Sequence, residues 1–150
     1  NRFGDIRMPS HKETRVLPYT AEQLFDLVMH IEKYPEFLPW CLAARVNMRK
    51  SNYLEADVIV GYKMFREVFS SRVHMIRPNA IEVEYLKGPM RHLHNKWVFT
   101  NLKAQRCEVH FYVDFSLKSR LFESLVDQFF HKALTKMINA FELRAKDLYS

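Results

Sequence analysis

Residues 107–150 read CEVHFYVDFSLKSRLFESLVDQFFHKALTKMINAFELRAKDLYS, and within this stretch the hydrophobic period changes once. Up to Phe115 it is two. Cys107, Val109, Phe111, Val113 and Phe115 alternate with Glu108, His110, Tyr112 and Asp114, the pattern of a strand covered on one face. From Ser119, which is placed to cap a helix, neither Gly nor Pro occurs. Ser124, Asp127, Gln128, His131, Thr135, Asn139, Glu142 and Lys146 form a polar stripe. Opposite it stand Leu121, Phe122, Leu125, Val126, Phe129, Phe130, Ala133, Leu134, Met137, Ile138 and Phe141. The pattern predicts one helix of about thirty residues, ~45 Å long, with an apolar face wider than a seat on a single sheet requires. Two explanations of that width stand side by side. Either loops and another helix cover its flanks, the commoner fate of apolar helical faces, or the helix lids a cavity or meets lipid.

Upstream the period of two recurs. Ala44, Val46 and Met48 share one phase; so do Leu54, Ala56, Val58, Val60 and Tyr62. Phe69, Ser71, Val73 and Met75, then Ile81, Val83 and Tyr85, then Leu93, Asn95, Trp97 and Phe99 repeat it, with mostly charged or polar residues between. Such runs, separated by Ser51-Asn52, Pro78-Asn79 and Gly88-Pro89 as turn chemistry, predict an antiparallel sheet covered on one side. Nearer the start, Lys12–Leu17 reads as a short strand stopped by Pro18. Thr20-Ala21-Glu22-Gln23 has the form of a capping box, and Leu24, Phe25, Leu27, Val28 and Ile31 continue it as a helix over about 21–31. Pro35 and Pro39 then suit a short helical turn leading into a strand. The order of strand, two helices, a run of strands and one long helix gives an α+β fold in which a curved antiparallel sheet grips the last helix.

The chain has 150 residues, 48% of them hydrophobic and 27% charged, which suits one globular domain and excludes a disordered or collagen-like chain. Cys41 and Cys107 are too few for a disulfide framework and point to a reducing compartment. No run approaches the roughly 18–20 apolar residues of a spanning helix. Three glycines leave no room for a glycine-rich phosphate loop. The net charge of +6 favours anionic partners such as nucleic acid, ribosomes or acidic lipid, but the basic residues are scattered and single out none. Asn1–Arg7 resemble neither a signal h-region nor a core strand and are expected to be a presequence remnant or an expression scar, with Met8-Pro9-Ser10 as the native start. Residues 1–10 are therefore expected to be a flexible segment, and 11–150 one domain.

Few residues carry an argument for catalysis. His92 and His94 share a strand face with His110 or His74 in reach, but Lys96 and Glu84 mark that face as solvent, so no metal is expected. Cys107 lies in the core phase and reads as an inert thiol; Cys41 has no histidine close in sequence to activate it. Glu82 with Glu84 and Glu55 with Asp57 sit on polar faces, where general acid–base work is not set up. No catalytic residue is assigned. What stands out is the inward face, where Tyr62, Ser71, Tyr85 and Asn95 lie among apolar neighbours. They satisfy one another, the backbone or water, or they serve an amphipathic ligand.

Several strings resemble a known family: Tyr34-Pro35-Glu36-Phe37-Leu38-Pro39-Trp40-Cys41, Arg15-Val16-Leu17-Pro18-Tyr19-Thr20, Leu86-Lys87-Gly88-Pro89-Met90-Arg91-His92-Leu93 with Trp97-Val98-Phe99, Val113-Asp114-Phe115-Ser116-Leu117-Lys118-Ser119, and Ala140-Phe141-Glu142-Leu143-Arg144-Ala145. Together they resemble the coenzyme Q-binding protein family of the START-like (polyketide cyclase, helix-grip) superfamily, from about Lys12 to the C-terminus. Met90, where an aromatic is common, and Asn95, where glycine is frequent, depart from it.

The resemblance implies a helix-grip fold of about seven strands with a hydrophobic tunnel between sheet and long helix. It further implies a non-enzymatic protein without a cofactor, binding ubiquinone or a related polyprenyl quinone as a carrier or chaperone for respiration or quinone biosynthesis. The residues placed to line such a tunnel are Val58, Val60, Tyr62, Phe69, Val73, Tyr85, Leu93, Asn95, Trp97, Phe111, Val126, Phe129, Phe130, Ala133 and Met137, with Ala133 and Ala140 leaving space on the helix. A carrier collects its cargo at a bilayer, and the bend of Phe37, Leu38, Pro39 and Trp40 between Lys33 and Arg45 is the expected peripheral membrane contact. Bacterial members are also described as ribosome association toxins of the large subunit, which makes Arg45, Arg49 and Arg72 candidate phosphate contacts; DNA is not an expected partner. The expected location is the bacterial cytoplasm or inner face of the cytoplasmic membrane, or the matrix side of the mitochondrial inner membrane.

Overall fold

The computed structural model describes residues 10–118 and 123–150, the side chains of 123–128 excepted. The chain runs β1 (Ser10–Leu17), α1 (Ala21–Met29), a 3-10 helix (Ile31–Glu36), β2 (Cys41–Arg49), β3 (Tyr53–Tyr62), β4 (Phe65–Ile76), β5 (Ala80–Lys87), β6 (Met90–Asn101), β7 (Cys107–Leu117) and α2 (Glu123–Tyr149). The strands form one seven-stranded antiparallel sheet in the order β1-β7-β6-β5-β4-β3-β2. This is the expected α+β helix-grip architecture. Most of the expected flexible segment, like the expected cap at Ser119, lies outside the described residues, but Ser10 belongs to β1 and is paired with Asp114.

Local chemistry sets the boundaries. Gln23 N–H donates to the Thr20 hydroxyl (3.1 Å) and Thr20 N–H to the Gln23 side-chain oxygen (3.0 Å), so the capping box forms as its spacing requires. α1 stops at Met29, two residues earlier than its apolar spacing suggests. His30 breaks the helical dihedrals, and Ile31 enters the core from the 3-10 helix.

The core is aromatic and lies at one end of the grip. Trp97 meets Phe111 at 4.7 Å and Phe141 at 5.2 Å between ring centroids, and Phe141 is flanked by Tyr34 and Phe37 at 5.5 and 5.4 Å. α2 contributes Phe130, Leu134, Ile138, Phe141 and Ala145 to it. Tyr149 donates to the Gln23 carbonyl (3.0 Å), which ties the end of α2 to α1.

β1 departs from a simple apolar strand. Its half-buried residues are His11, Glu13, Arg15 and Leu17, whereas Val16 is exposed. The polar row faces α2 and bonds to it: His11 Nδ1 meets His131 Nδ1 at 2.8 Å, and Arg15 Nη1 donates to Glu142 Oε1 at 2.9 Å. Between them Glu13 accepts from His11 (2.8 Å) and from Arg15 Nε (2.5 Å). A charged row can face inward on this edge strand because the helix brings its own polar flank to meet it.

Candidate functional site: an apolar trough between sheet and helix

The polar flank of α2 is tied to β1, and this decides what the opposite flank does. His131 and Glu142 bond to β1, while Arg144 donates to Glu36 (2.9 Å) and lies over the Phe37 ring (5.1 Å) on the 3-10 side. By helical spacing, Phe129, Ala133, Met137 and Ala140 share the flank of Arg144. That flank looks across the inner face of the sheet away from β1.

Burial on this inner face is graded. Along β3, Leu54 and Ala56 are buried, Val58 and Val60 are half-buried, and Tyr62 is 54% exposed. β4 runs from buried Val73 through half-buried Ser71 and Phe69 to exposed Phe65, and β5 from buried Ile81 to half-buried Val83 and Tyr85. Leu93 and Asn95 are half-buried beside them on β6. Among the described residues, this graded burial and the half-buried Ala133, Met137 and Ala140 on the facing flank of α2 outline an apolar trough that is buried toward the aromatic core and increasingly exposed toward the β3–β4 turn. The trough lining is apolar or neutral except at its exposed end, where Glu67 stands opposite Val60 in register. Beyond its closed end, a cavity of about 30 Å³ between Trp97, Phe99, Phe111, Ile138 and Phe141 has room for little more than a water molecule.

The residues expected to line a tunnel therefore divide. Val58, Val60, Phe69, Tyr85, Leu93, Asn95, Ala133 and Met137 border the trough. Val73, Trp97, Phe111 and Phe130 are buried in the packed core; Phe130, for instance, meets Phe115 at 4.5 Å. Two placements are corrected. Tyr62 is 54% exposed, its ring edge-on to Trp40 at 6.4 Å. Phe129 is 61% exposed, because the core-facing position of that turn is taken by Phe130. Val126 lies outside the described side chains.

The neutral polar groups differ in availability. The Tyr85 hydroxyl accepts from Met90 N–H (2.8 Å) and donates to Met90 C=O (3.1 Å), so it braces the β5–β6 turn rather than awaiting a ligand. A Cβ on Gly88, whose φ is +153°, would come within 2.8 Å of that hydroxyl, so this turn accepts only glycine there. Asn95 donates to the Tyr112 carbonyl (2.9 Å), which leaves its side-chain oxygen as an acceptor. Ser71, opposite Tyr85 in register, has no protein partner for its hydroxyl among the described residues.

The bend after the 3-10 helix is not a free surface. Leu38 is 8% exposed and belongs to the core, and Phe37 packs on Phe141 beneath Arg144, so the expected membrane contact is corrected for Phe37 and Leu38, while Trp40 is half-buried against exposed Tyr62. The bend turns inward because Leu38 N–H returns to the Tyr34 carbonyl (2.9 Å).

The convex face of the sheet is a lattice of paired charges. His92 donates to Asp114 (2.5 Å), His94 to Glu82 (2.7 Å), and His74 to Glu84 (2.9 Å). Burial alone would raise the Asp114 carboxyl, but bonds from Tyr112 and His92 outweigh it and hold it below the usual carboxylate range. The His94 bond does the same for Glu82. Burial pushes both thiols, Cys41 and Cys107, above their usual value, which disfavours the nucleophilic thiolate. Among the described residues no group of three or more His, Cys, Asp or Glu is placed to hold a metal ion.

Comparison with known proteins is decisive on kinship. Residues 17–142 match the family of polyketide cyclase / dehydrase and lipid transport proteins. The chain belongs to this family. The "Ribosome association toxin RatA" of Rickettsia prowazekii is 35% identical over 94% of this chain and 99% of its own, and that of Escherichia coli K12 is 32% identical over 97% and 92%. The mitochondrial "Coenzyme Q-binding protein COQ10 homolog B" of Xenopus laevis is 29% identical over 93% of this chain and 59% of its own. Among solved structures, an 18 kDa Caulobacter crescentus protein is 35% identical with a TM-score of 0.76, covering 95% of this chain and 99% of its own. A START superfamily protein from Mycobacterium smegmatis has a TM-score of 0.80 at 16% identity, covering 93% and 98%, and is like this chain in fold.

Proposed function

We propose that this family member binds a polyprenyl quinone, ubiquinone or a biosynthetic intermediate, in the trough and carries it without catalysing a reaction on it. The observation that supports this is the graded apolar lining, with its one acidic side chain, Glu67, at the exposed end and with the Ser71 hydroxyl unpartnered among the described residues. A polyprenyl tail needs an extended apolar bed, and a neutral ring needs one or two hydrogen bonds rather than a charge. The thiols are raised by burial, and the carboxylates Asp114 and Glu82 are paired on the convex face, which disfavours them as nucleophile or base. The corresponding place of action is the cytoplasmic membrane's inner face or its mitochondrial counterpart. The test is mass spectrometry of the organic extract of protein purified without detergent from quinone-producing cells. A polyprenyl quinone near one per chain is the expected result; an extract free of polyprenyl lipid overturns the reading.

A second function, association with the large ribosomal subunit, has one observation in its favour, the names of the relatives at 32% and 35% identity. The arginines first considered for phosphate contact already have partners: Arg45 with Asp57 (3.2 Å), Arg49 with Glu32 (2.8 Å) and Arg72 with Glu55 (2.5 Å). Cosedimentation with large subunits that falls steeply with salt would support ribosome binding, and its absence at low salt would remove it.

A further inference from the structure

The open end of the trough carries apolar side chains in full view. At the β3–β4 turn Met64 is 97% and Phe65 67% exposed, and Val68 and Leu86 beside them are exposed as well. A turn of this composition is costly in water, since exposed apolar groups of this size are ordinarily buried. It is nonetheless firmly held. Gly61 N–H donates to the Trp40 carbonyl (2.9 Å), Trp40 packs edge-on to Tyr62, and Lys63 takes a positive φ of 55° that throws Met64 to the tip.

The charges around the tip are mostly positive. Lys63, Arg66 and Lys87 are exposed there, and Glu67 is the single acidic residue between Tyr62 and Val68. Among the described residues none of these three cations is in an ion pair, in contrast to the paired arginines of the convex face. An apolar tip ringed by cations matches the layering of an anionic bilayer surface, acyl chains below and phosphates above. A nucleic acid would use the cations but would gain little from Met64 and Val68.

We propose that the β3–β4 turn docks the protein on an anionic lipid bilayer, with Met64 and Phe65 entering the interface and Lys63, Arg66 and Lys87 meeting headgroup phosphates. The trough then opens onto the membrane. The purpose of the docking rests on the quinone reading, but its existence is measured apart from it, on vesicles that contain no quinone.

The experiment is cosedimentation of the whole chain with phosphatidylcholine vesicles, with and without phosphatidylglycerol, at low and raised salt. Binding that requires phosphatidylglycerol and weakens with salt is expected. Reversing Lys63 and Arg66 to Glu removes about fivefold or more in partitioning per cation. Met64→Ser with Phe65→Ser abolishes the remaining binding, while Ile76→Ser, at an apolar residue 70% exposed at the opposite end of β4, leaves it unchanged. Each variant is checked by its thermal melt, which these exposed positions leave in place. Wild-type protein that ignores anionic vesicles at low salt overturns the docking, even when its extract contains quinone. Vesicle binding that Met64→Ser with Phe65→Ser leaves intact overturns it too. So does a turn whose substitutions abolish large-subunit binding and leave vesicle binding alone.

Discussion

Ala133 sits on the α2 flank above the trough, half-buried between exposed Phe129 and the partly packed Met137. In a closed core an indole at this position would force overpacking at a cost of about 1–3 kcal/mol. Above a trough it fills space meant for cargo. Ala133→Trp is therefore expected to keep nearly the wild-type urea midpoint and to lose extractable quinone. Tyr85→Phe should do the reverse, losing both bonds to Met90 at about 1–2 kcal/mol in urea denaturation while still holding quinone. The alternation that put Tyr85 on the inner face was legible in the sequence; the use of its hydroxyl was not. Its partner is the backbone of Met90, and a backbone partner has no signature in residue types. Phe129 and Phe130 pose the same problem. Adjacent on a wide apolar face, they are equivalent until Phe115 packs edge-on against Phe130.

Among the elements, β1 shows how a strand can be legible in place and opaque in role. The stop at Pro18 located its end, but His11, Glu13 and Arg15 in the inward phase look like a solvent face until α2 supplies His131 and Glu142. Arg15 is the hub, bonding both Glu13 and Glu142. Arg15→Ala leaves half-buried Glu13 with only its bond to His11, and a loss of about 1–3 kcal/mol is expected from the urea midpoint. Faster proteolysis within α2 than within the sheet should accompany it, because the helix loses its tie to the edge strand. α1 was readable to its first residue because a capping box is wholly local. Its last turn was not, since Ile31 is drawn into the core from a different helix type.

For the whole molecule, acid is the condition that reaches most elements at once. Glu32, Glu36, Asp57, Glu82 and Asp114 all have carboxyls held below their ordinary values, by bonds to Arg49, to Lys33 and Arg144, to Ser70 and Arg45, to His94, and to Tyr112 and His92. A carboxyl lowered in the folded state binds fewer protons there than in the unfolded chain, so its stabilisation is present above the unfolded value of about pH 4 and is lost as pH falls through the folded one. Urea midpoints should thus be flat from neutrality to about pH 5 and fall steadily below about pH 4. A midpoint that rises in acid would contradict the paired lattice of the convex face.

The largely apolar trough also bears on how a polyprenyl cargo, if the protein carries one, would be shared between protein and membrane. An isoprenoid tail moving from acyl chains to Val58, Val60 and Leu93 exchanges one apolar medium for another, so the hydrophobic effect that drives it out of water contributes almost nothing to the move. The division then depends on the head group, where a hydroxyl such as Ser71 replaces interfacial water, and on how much quinone the bilayer holds. Such a protein fills when the membrane is rich in quinone and empties when it is poor. On that reading it would work as a buffer of the lipid pool, reversible in both directions, rather than as a sink.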